Sequence, residues 1–177
     1  MVDIQTVSIV VASASVVAGI IYYALQVRHQ TKIRKTDLLT RLYSSTYISN
    51  EFMDALWKVM SLQVKDYEDY VRQYGSLQTD NPMNRAIFTV IGYYELVGVL
   101  LYRKLIDLAT VHDVFGTGSP IRLFEKIKPV LAGMREKFDP AALLGFEYLC
   151  HELKRKEPQL RKEWQRLQKD LNISTIK

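Results

Sequence analysis

The chain has 177 residues, of which 48% are hydrophobic and 24% are charged, and this composition excludes wholesale disorder. Its single cysteine, Cys150, excludes an intramolecular disulfide framework and a multi-cysteine zinc site. The formal net charge is +5, and the length suits one domain or a small domain with an appendage.

The first segment, residues 4–27, contains no charged residue. As an α-helix of ~1.5 Å per residue it would be about 36 Å long, enough to cross a bilayer core with some tilt. A cleaved signal peptide would need a basic N-terminal region and a small-residue cleavage site. The only charged residue before the segment is Asp3, and Tyr22 and Tyr23 stand near its end. The sequence therefore predicts an uncleaved transmembrane helix over residues 4–27.

The residues after this segment predict its orientation. Arg28, Lys32, Arg34 and Lys35 follow the predicted span, and no basic residue precedes it. Because basic residues flank the cytoplasmic end of a span, we expect the N-terminus outside and the body of the chain in the cytoplasm. These four residues form a predicted basic cluster at the membrane surface.

A stripe of small residues lies along the predicted span. Ser8, Ala12, Ser15 and Gly19 are spaced by four, three and four positions, which places them on one side of a helix. Such a stripe allows close helix packing and indicates self-association or a partner span. The alternative is that small residues are simply common in spans.

The remainder of the chain has helical periodicity. We expect a helical stalk over residues 28–47, continuous with the span to about Ser45, then a helical bundle over residues 48–153. The sequence shows no internal repeat and no alternation of apolar and polar residues strong enough for a sheet, so the predicted class is all-α. Capping residues, in several cases followed by proline, mark predicted helix starts at Ser49 or Asn50, Asn81–Pro82, Asp107, Ser119–Pro120 and Asp139–Pro140.

Residues 86–102 contain one charged residue, Glu95, and two interpretations compete for them. They could form a short second span, or the central helix of the bundle, apolar on all sides because it is surrounded. An acidic residue in the middle of a span costs ~2.5–3.5 kcal/mol, which favours the central helix.

Glu95 then becomes a candidate buried carboxylate, which must be paired, hydrogen-bonded or protonated. We expect a hydrogen bond from an Arg, a Tyr hydroxyl or a His on a neighbouring helix, with Arg41, Arg122 and His112 as candidates. Such a pair would fix the register of the bundle, or the carboxylate would serve a ligand or a proton. Close helix approach would be allowed by Gly92 and Gly98.

Catalytic and metal-binding patterns are weak. Cys150 and His151 are adjacent, so their side chains diverge on a helix. The loop at residues 116–120 precedes a helix but lacks the lysine of a phosphate-binding loop. A metal site could recruit Glu95, Glu125, Glu147, His151 and Glu152, but ordinary polarity of helix surfaces explains these residues better than a metal site does. We therefore predict no catalytic residue, no metal and no cofactor.

Residues 154–177 predict a basic C-terminal helix with an apolar stripe that packs on the body or on a partner chain. Residues 151–177 carry eight basic and four acidic residues, which indicates attraction to anionic lipid. No aromatic-basic platform suggests nucleic acid. The stripe consists of Leu160, Trp164, Leu167 and Leu171.

Four segments together, spread over roughly residues 5–150, carry a resemblance to a known family. They are residues 30–39, 65–70, 95–101 and 124–129. On these segments the chain resembles a prokaryotic domain-of-unknown-function family of small membrane proteins with one N-terminal span. The resemblance implies an anchored, helical cytoplasmic body and brings no activity, cofactor or catalytic residue.

The sequence thus predicts a membrane-anchored cytoplasmic helical protein that acts by binding, as an accessory subunit or scaffold, and not as an enzyme. Its expected partners are the bilayer and a second copy or another membrane-protein subunit. One alternative is an enzyme or metal-binding protein that uses bundle carboxylates. Another is a module that lies on an anionic lipid surface.

Overall fold

The structure is a computed structural model that describes the backbone of residues 4–171 and the side chains of residues 15–171 except Lys32. Over residues 4–171 the chain forms seven α-helices and one π-helical turn, and no strand occurs in that range, which confirms the predicted all-α class. The elements are α1 (Ile4–Leu42), the π-helical turn (Tyr43–Tyr47), α2 (Asn50–Met60), α3 (Tyr67–Tyr74), α4 (Pro82–Tyr102), α5 (Leu108–Phe115), α6 (Gly118–Lys137) and α7 (Leu144–Asp170).

The chain divides into two compact units, residues 1–38 and residues 39–177. In the first unit, α1 is helical from Ile4 onward, across the predicted span and the start of the predicted stalk. The Thr31 hydroxyl donates to the carbonyl of Val27, 2.8 Å away, within this helix. Beyond the boundary, α1 ends at Leu42 and the π-helical turn follows, so helical backbone extends to Tyr47.

The core of the second unit is built around α4. Helix α7 and helix α2 make the most extensive contacts with α4, while α6 packs against α2, α3 and α7. Eleven residues of α4 are buried, more than in any other described helix, because apolar side chains occur on most of its circumference. The bundle is therefore organised on the segment that the sequence singled out.

Local capping explains why several helices begin where they were predicted. The Ser49 hydroxyl accepts a hydrogen bond from the amide of Phe52 at 3.1 Å. The Asn81 side-chain oxygen accepts from two amides in the first turn of α4, each at 2.9 Å. Asp107 accepts from the Thr110 amide at 2.9 Å. Each side chain satisfies an amide that has no partner within the helix.

One predicted helix start holds to within one residue and another was wrong. Helix α6 begins at Gly118, next to the predicted Ser119–Pro120, although Thr117 ahead of it makes no side-chain cap. The prediction of a helix at Asp139–Pro140 fails because the Asp139 carboxylate accepts from the Ala141 amide at 2.8 Å and forms a turn instead. Helix α7 then begins at Leu144 and continues through Pro158 without a break at residue 154.

The prediction that residues 86–102 are surrounded on all sides was also wrong. One side of α4 is exposed over most of its length, because α2 and α7 cover only the others. Among the residues that the structure describes, α4 is the helix long and apolar enough to cross a membrane. Its most apolar stretch of 18 residues has a mean hydropathy of 1.3, and half of that stretch is buried. We call the exposed side the α4 stripe, and it consists of Phe88, Gly92, Leu96, Val99 and Tyr102.

Candidate functional site

Glu95 caps the first turn of α7 from a different helix. Its Oε1 accepts a hydrogen bond from the Gly145 amide at 3.1 Å, and its Oε2 accepts from the Phe146 amide at 2.8 Å. Gly145 and Phe146 are the second and third residues of α7, the two positions whose amides a helix cap normally satisfies. We call this pair of hydrogen bonds the Glu95 cap.

Helix α7 needs an external cap because its own capping position supplies none. Leu143 stands there, and its apolar side chain cannot accept a hydrogen bond. Its backbone is left-handed, with φ 57° and ψ 32°, a conformation that is unfavourable for a leucine. The Glu95 carboxylate supplies the missing acceptor, and its negative charge lies at the positive end of the α7 dipole.

Two glycines allow α4 and α7 to approach closely enough for this cap. A Cβ atom on Gly98 would lie 1.9 Å from the carbonyl oxygen of Gly145, and a Cβ atom on Gly145 would lie 2.8 Å from the carbonyl oxygen of Glu95. No side chain fits at either position without moving backbone. The expectation of close approach is thus met at Gly98. It was wrong for Gly92, where an added Cβ would meet no atom within 4 Å.

The predicted environment of Glu95 needs two corrections. Its side chain is half-buried rather than enclosed in the core, and its hydrogen bonds come from backbone amides rather than from an Arg, Tyr or His. Of the predicted partners, Arg122 donates to the Gly118 carbonyl at 3.2 Å, and His112 lies 3.6 Å from Asp113. Backbone amides were missed because the turn that exposes them was predicted to be helical.

Arg135 on α6 holds the turn before α7 in place. Its Nε donates to the carbonyl of Ala142 at 3.0 Å, and its Nη2 donates to Glu147 Oε2 at 2.6 Å. One guanidinium group therefore joins α6, the turn and the first helical turn of α7. Glu147, considered as a metal ligand from the sequence, is engaged in this ion pair.

A cavity of about 490 Å³ opens beside the Glu95 cap. It offers one carboxylate, one guanidinium group and two phenol rings around an apolar floor, a mixture that suits a small amphipathic group. Both oxygens of the carboxylate already accept from α7 amides, so the wall of the cavity is structurally fixed. The lining residues are Glu95, Val99, Tyr102, Arg103, Leu144, Gly145 and Tyr148.

A second groove, of about 650 Å³, lies between α5, the start of α6 and the second half of α7. His112, Arg122 and Arg161 line it together with two acidic residues, Asp113 and Glu157. Arg161 is already paired with Glu157 at 2.6 Å. The groove includes the loop at residues 116–118, which the sequence analysis considered as an anion site, and its charges of both signs give no clear preference for an anion.

The predicted apolar stripe of the C-terminal helix is only partly covered. Leu160 is buried, whereas Trp164 is exposed along the edge of the 650 Å³ groove. Leu167 and Leu171 are exposed as well. Packing on the body therefore extends to about Leu160, and a partner for the rest of the stripe stays a prediction.

The membrane-surface cluster and the small-residue stripe belong to the first unit. Arg28 and Arg34 are exposed and Lys35 is half-exposed, while the side chain of Lys32 lies outside the described residues. Ser8 and Ala12 also have side chains outside the described residues. Ser15 and Gly19 are both exposed, and a Cβ on Gly19 would meet no atom within 4 Å.

An aromatic cluster that the sequence analysis did not identify lies in the second unit. It joins the π-helical turn to the buried rings of the bundle, with centroid separations of 4.9 Å for Tyr47–Phe115 and for Phe52–Tyr93 and 5.0 Å for Tyr94–Phe146. Burial raises the pKa of Tyr93 and of Tyr94 well above the usual range. The rings lie far apart in the sequence, from Tyr47 to Phe146, so no local pattern indicates the cluster.

The remaining reactive side chains are also held in structural contacts. Burial raises the pKa of Cys150 to about 12, and its thiol lies 3.7 Å from the Pro120 carbonyl oxygen. Glu125 accepts from Lys154 at 3.1 Å, and Glu152 pairs with Arg155. Over the described residues, no three His, Cys, Asp or Glu side chains are grouped in a way that could hold a metal ion.

Comparison with known protein families gives one match. The model of the domain of unknown function DUF4760 covers residues 9–153. The chain belongs to this family. The DUF4760 match includes most of α1 and extends into α7, so it covers parts of both units of the chain and includes the Glu95 cap. Neither the comparison with curated proteins nor that with solved structures gives a match.

Proposed function

We propose that this DUF4760 protein is a membrane-anchored helical protein that acts by binding, as an accessory subunit or scaffold. One observation carries the proposal. Helix α1 has no charged residue between positions 4 and 27, and the large side chains described in that segment are exposed.

The energy of these exposed side chains favours a bilayer over water. Ile20, for example, is 64% exposed. Burying one large apolar side chain contributes ~1.5–3 kcal/mol, so the described part of the segment alone gains on the order of 10 kcal/mol in hydrocarbon. The exposed residues are Val16, Val17, Ile20, Ile21, Tyr22, Tyr23, Leu25 and Val27.

The basic cluster supports a cytoplasmic location for the body. Each exposed arginine near an anionic inner leaflet contributes about 1 kcal/mol, and Arg28 and Arg34 lie within seven residues of the end of the segment. The N-terminus then faces outward, because basic residues flank the cytoplasmic end of a span. Ser15 and Gly19 are positioned to pack against a partner span or a second copy.

Binding is favoured over catalysis because the carboxylates that a bundle enzyme would use already have structural partners. Glu95 caps α7, Glu147 pairs with Arg135, and Glu125 pairs with Lys154. The two open grooves and the α4 stripe are surfaces suited to a partner. An enzyme or metal-binding function of these carboxylates remains the alternative.

A second candidate is a module that lies on anionic lipid. It is favoured by the last turns of α7, where residues 161–170 are all exposed and combine basic side chains with Trp164 and Leu167. Vesicles with and without anionic lipid would test it, since this candidate requires salt-sensitive binding to the anionic vesicles alone.

Anchoring is tested by extracting cell membranes with alkaline carbonate, which releases peripheral proteins. The wild-type chain should stay in the membrane pellet. Two charges introduced together, Val16→Arg and Ile20→Arg, cost ~2.5–3.5 kcal/mol each at the centre of a span and should move the chain to the soluble fraction. The matched control is Trp57→Arg with Ala132→Arg, at exposed positions of the body. Release of the wild-type chain by carbonate would overturn the proposal.

A further inference from the structure

The 490 Å³ cavity beside the Glu95 cap has a different chemistry at each end. Glu95, Val99 and Tyr102 follow one another along α4 at spacings of four and three residues, so they form one line on that helix. All three side chains line the cavity. The cavity therefore runs along α4 from the Glu95 carboxylate, past the methyl groups of Val99, to the phenol ring of Tyr102.

The far end of the cavity carries an unengaged guanidinium group, that of Arg103. Arg103 lines the cavity, and within the part of the chain that the structure describes its guanidinium group makes no hydrogen bond and no ion pair. By contrast, the arginines of the other grooves each donate to a carboxylate or a carbonyl oxygen; they are Arg85, Arg122 and Arg161. The neighbouring Lys104 is exposed and does not line the cavity. Arg103 is thus a cation available to an anionic group in the cavity.

At the near end, the Glu95 carboxylate still has acceptor capacity. Each of its oxygens accepts one hydrogen bond from an α7 amide, and a carboxylate oxygen can accept two. The two amides hold the carboxylate in a fixed position, so a further donor meets a preorganised acceptor. An ammonium group complements this end, because it carries the opposite charge and donates hydrogen bonds.

Between its ends the cavity is apolar and aromatic. Val99 and the exposed Leu144 contribute aliphatic side chains. The rings of Tyr102 and Tyr148 meet at 86° with their centroids 5.4 Å apart, an edge-to-face contact that holds each ring against the other. An apolar linker can lie against these four side chains without leaving a polar group unpaired.

The spacing of the two charged ends sets the length of a ligand. Glu95 and Arg103 are eight residues apart, which is about 12 Å along a helix that rises ~1.5 Å per residue. A hydrogen bond at each end takes up ~3 Å, which leaves roughly 6 Å between the two charged groups of the ligand. A chain of six bonds extends about 7 Å, so a linker of about five carbon atoms fits, whereas the two bonds of glycine are too short.

We propose that this cavity binds a small zwitterion, in which an apolar linker joins an ammonium group to an anionic group. The ammonium group donates to Glu95, the linker lies against Val99 and Leu144, and the anionic group accepts from Arg103. A ligand with a single charge would satisfy one end of the cavity only, and a purely apolar ligand neither. This small-molecule site goes beyond the proposed role of the chain as an anchored subunit or scaffold.

Titration with ε-aminocaproate tests the site, with hexylamine and hexanoate as matched analogues that carry one charge each. The full chain is kept in a non-ionic detergent, because a zwitterionic detergent would compete. The amide NMR shifts of residues 145 and 146 report on binding, since these amides donate to Glu95. The zwitterion should saturate these shifts and bind roughly fivefold more tightly than either analogue, as expected for one additional ion pair. If ε-aminocaproate binds no more tightly than hexylamine and hexanoate, the proposal is wrong.

Two variants assign the ends of the cavity. Arg103→Gln should abolish the preference for ε-aminocaproate over hexylamine, and Glu95→Gln should abolish its preference over hexanoate. Lys104→Gln removes the neighbouring exposed cation outside the cavity, so this matched control should bind as the wild type does. Because Glu95→Gln also weakens the Glu95 cap, the decisive variant is Arg103→Gln, which removes no contact within the described residues. Equal affinity of Arg103→Gln and Lys104→Gln for the zwitterion would overturn the proposal.

Discussion

Removal of the Glu95 carboxylate should loosen the first turn of α7. Glu95→Ala deletes both acceptors of the Gly145 and Phe146 amides, and Leu143 offers no replacement. Loss of a helix cap costs ~0.5–2 kcal/mol, and loss of a negative charge at a helix N-terminus costs ~0.3–1 kcal/mol more. We therefore expect a loss of about 1–3 kcal/mol. This is less than for a broken buried ion pair, because the charge is half-exposed and leaves no buried countercharge.

Glu95→Gln should cost less, about 1 kcal/mol, because the amide keeps one acceptor oxygen and the shape of the side chain while losing the charge. Thermal unfolding of the full chain in mild detergent, followed by circular dichroism, measures both variants. Hydrogen exchange provides the local readout, since the amides of residues 145 and 146 should exchange faster in Glu95→Ala and to a smaller degree in Glu95→Gln.

Glu136→Ala is the matched control for both measurements, because Glu136 is an exposed glutamate on α6. It should leave the melting temperature and the exchange at residues 145 and 146 close to wild type. If Glu95→Ala has the same melting temperature as Glu136→Ala, and if its hydrogen exchange at residues 145 and 146 is unchanged, the Glu95 cap does not stabilise α7. Our interpretation of the α4–α7 junction would then be wrong.

Three further predictions concern the second unit. Gly98→Ala should destabilise this unit by ~1–3 kcal/mol, because the new Cβ would overlap the Gly145 backbone, whereas the control Gly118→Ala should keep the wild-type melting temperature. Equal melting temperatures of the two variants would contradict the close crossing of α4 and α7. Burial raises the pKa of Tyr70 to about 12 and that of Tyr94 further, so the contribution of these tyrosines to stability should be constant below about pH 10, where an unfolded tyrosine ionises, and should fall between about pH 10 and pH 12; a pH titration of the melting temperature that is flat in this interval would refute it. Burial raises the pKa of Cys150 to about 12, so the thiol should react with a thiol reagent at pH 8 only as fast as the chain unfolds. Rapid labelling of the native chain would contradict this, because it would show that the thiol is accessible.

Helix starts that depend on neighbouring residues were predictable from the sequence. Ser49, Asn81 and Asp107 each cap a helix through amides two or three residues ahead, so the signal is local and lies within a few letters. Asp139–Pro140 gave the same signal and misled, because the aspartate closes a turn with the Ala141 amide instead. A local pattern cannot distinguish a capped helix from a capped turn.

Features that depend on two distant segments were not predictable. Glu95 is fifty residues from the Gly145 amide that it binds, and the need for it arises because Leu143, at the capping position of α7, has no side-chain acceptor. The sequence indicated that Glu95 required a partner but could not identify backbone as that partner. Likewise, the composition of α4 showed that it is apolar, but which side stays open depends on where α2 and α7 pack. Hence the exposed stripe through Gly92 emerged only from the structure.

Accessibility of a single exposed residue to a membrane-impermeant thiol reagent tests the central claim most directly. Gln78 is exposed in the loop between α3 and α4, and Cys150 is buried, so Gln78→Cys provides one reactive site on the body. If α1 spans the membrane with the body in the cytoplasm, the reagent applied to intact cells should label Gln78→Cys only after permeabilisation and should label Asp3→Cys without it. Labelling of Gln78→Cys in intact cells, at the level reached after permeabilisation, would contradict the account.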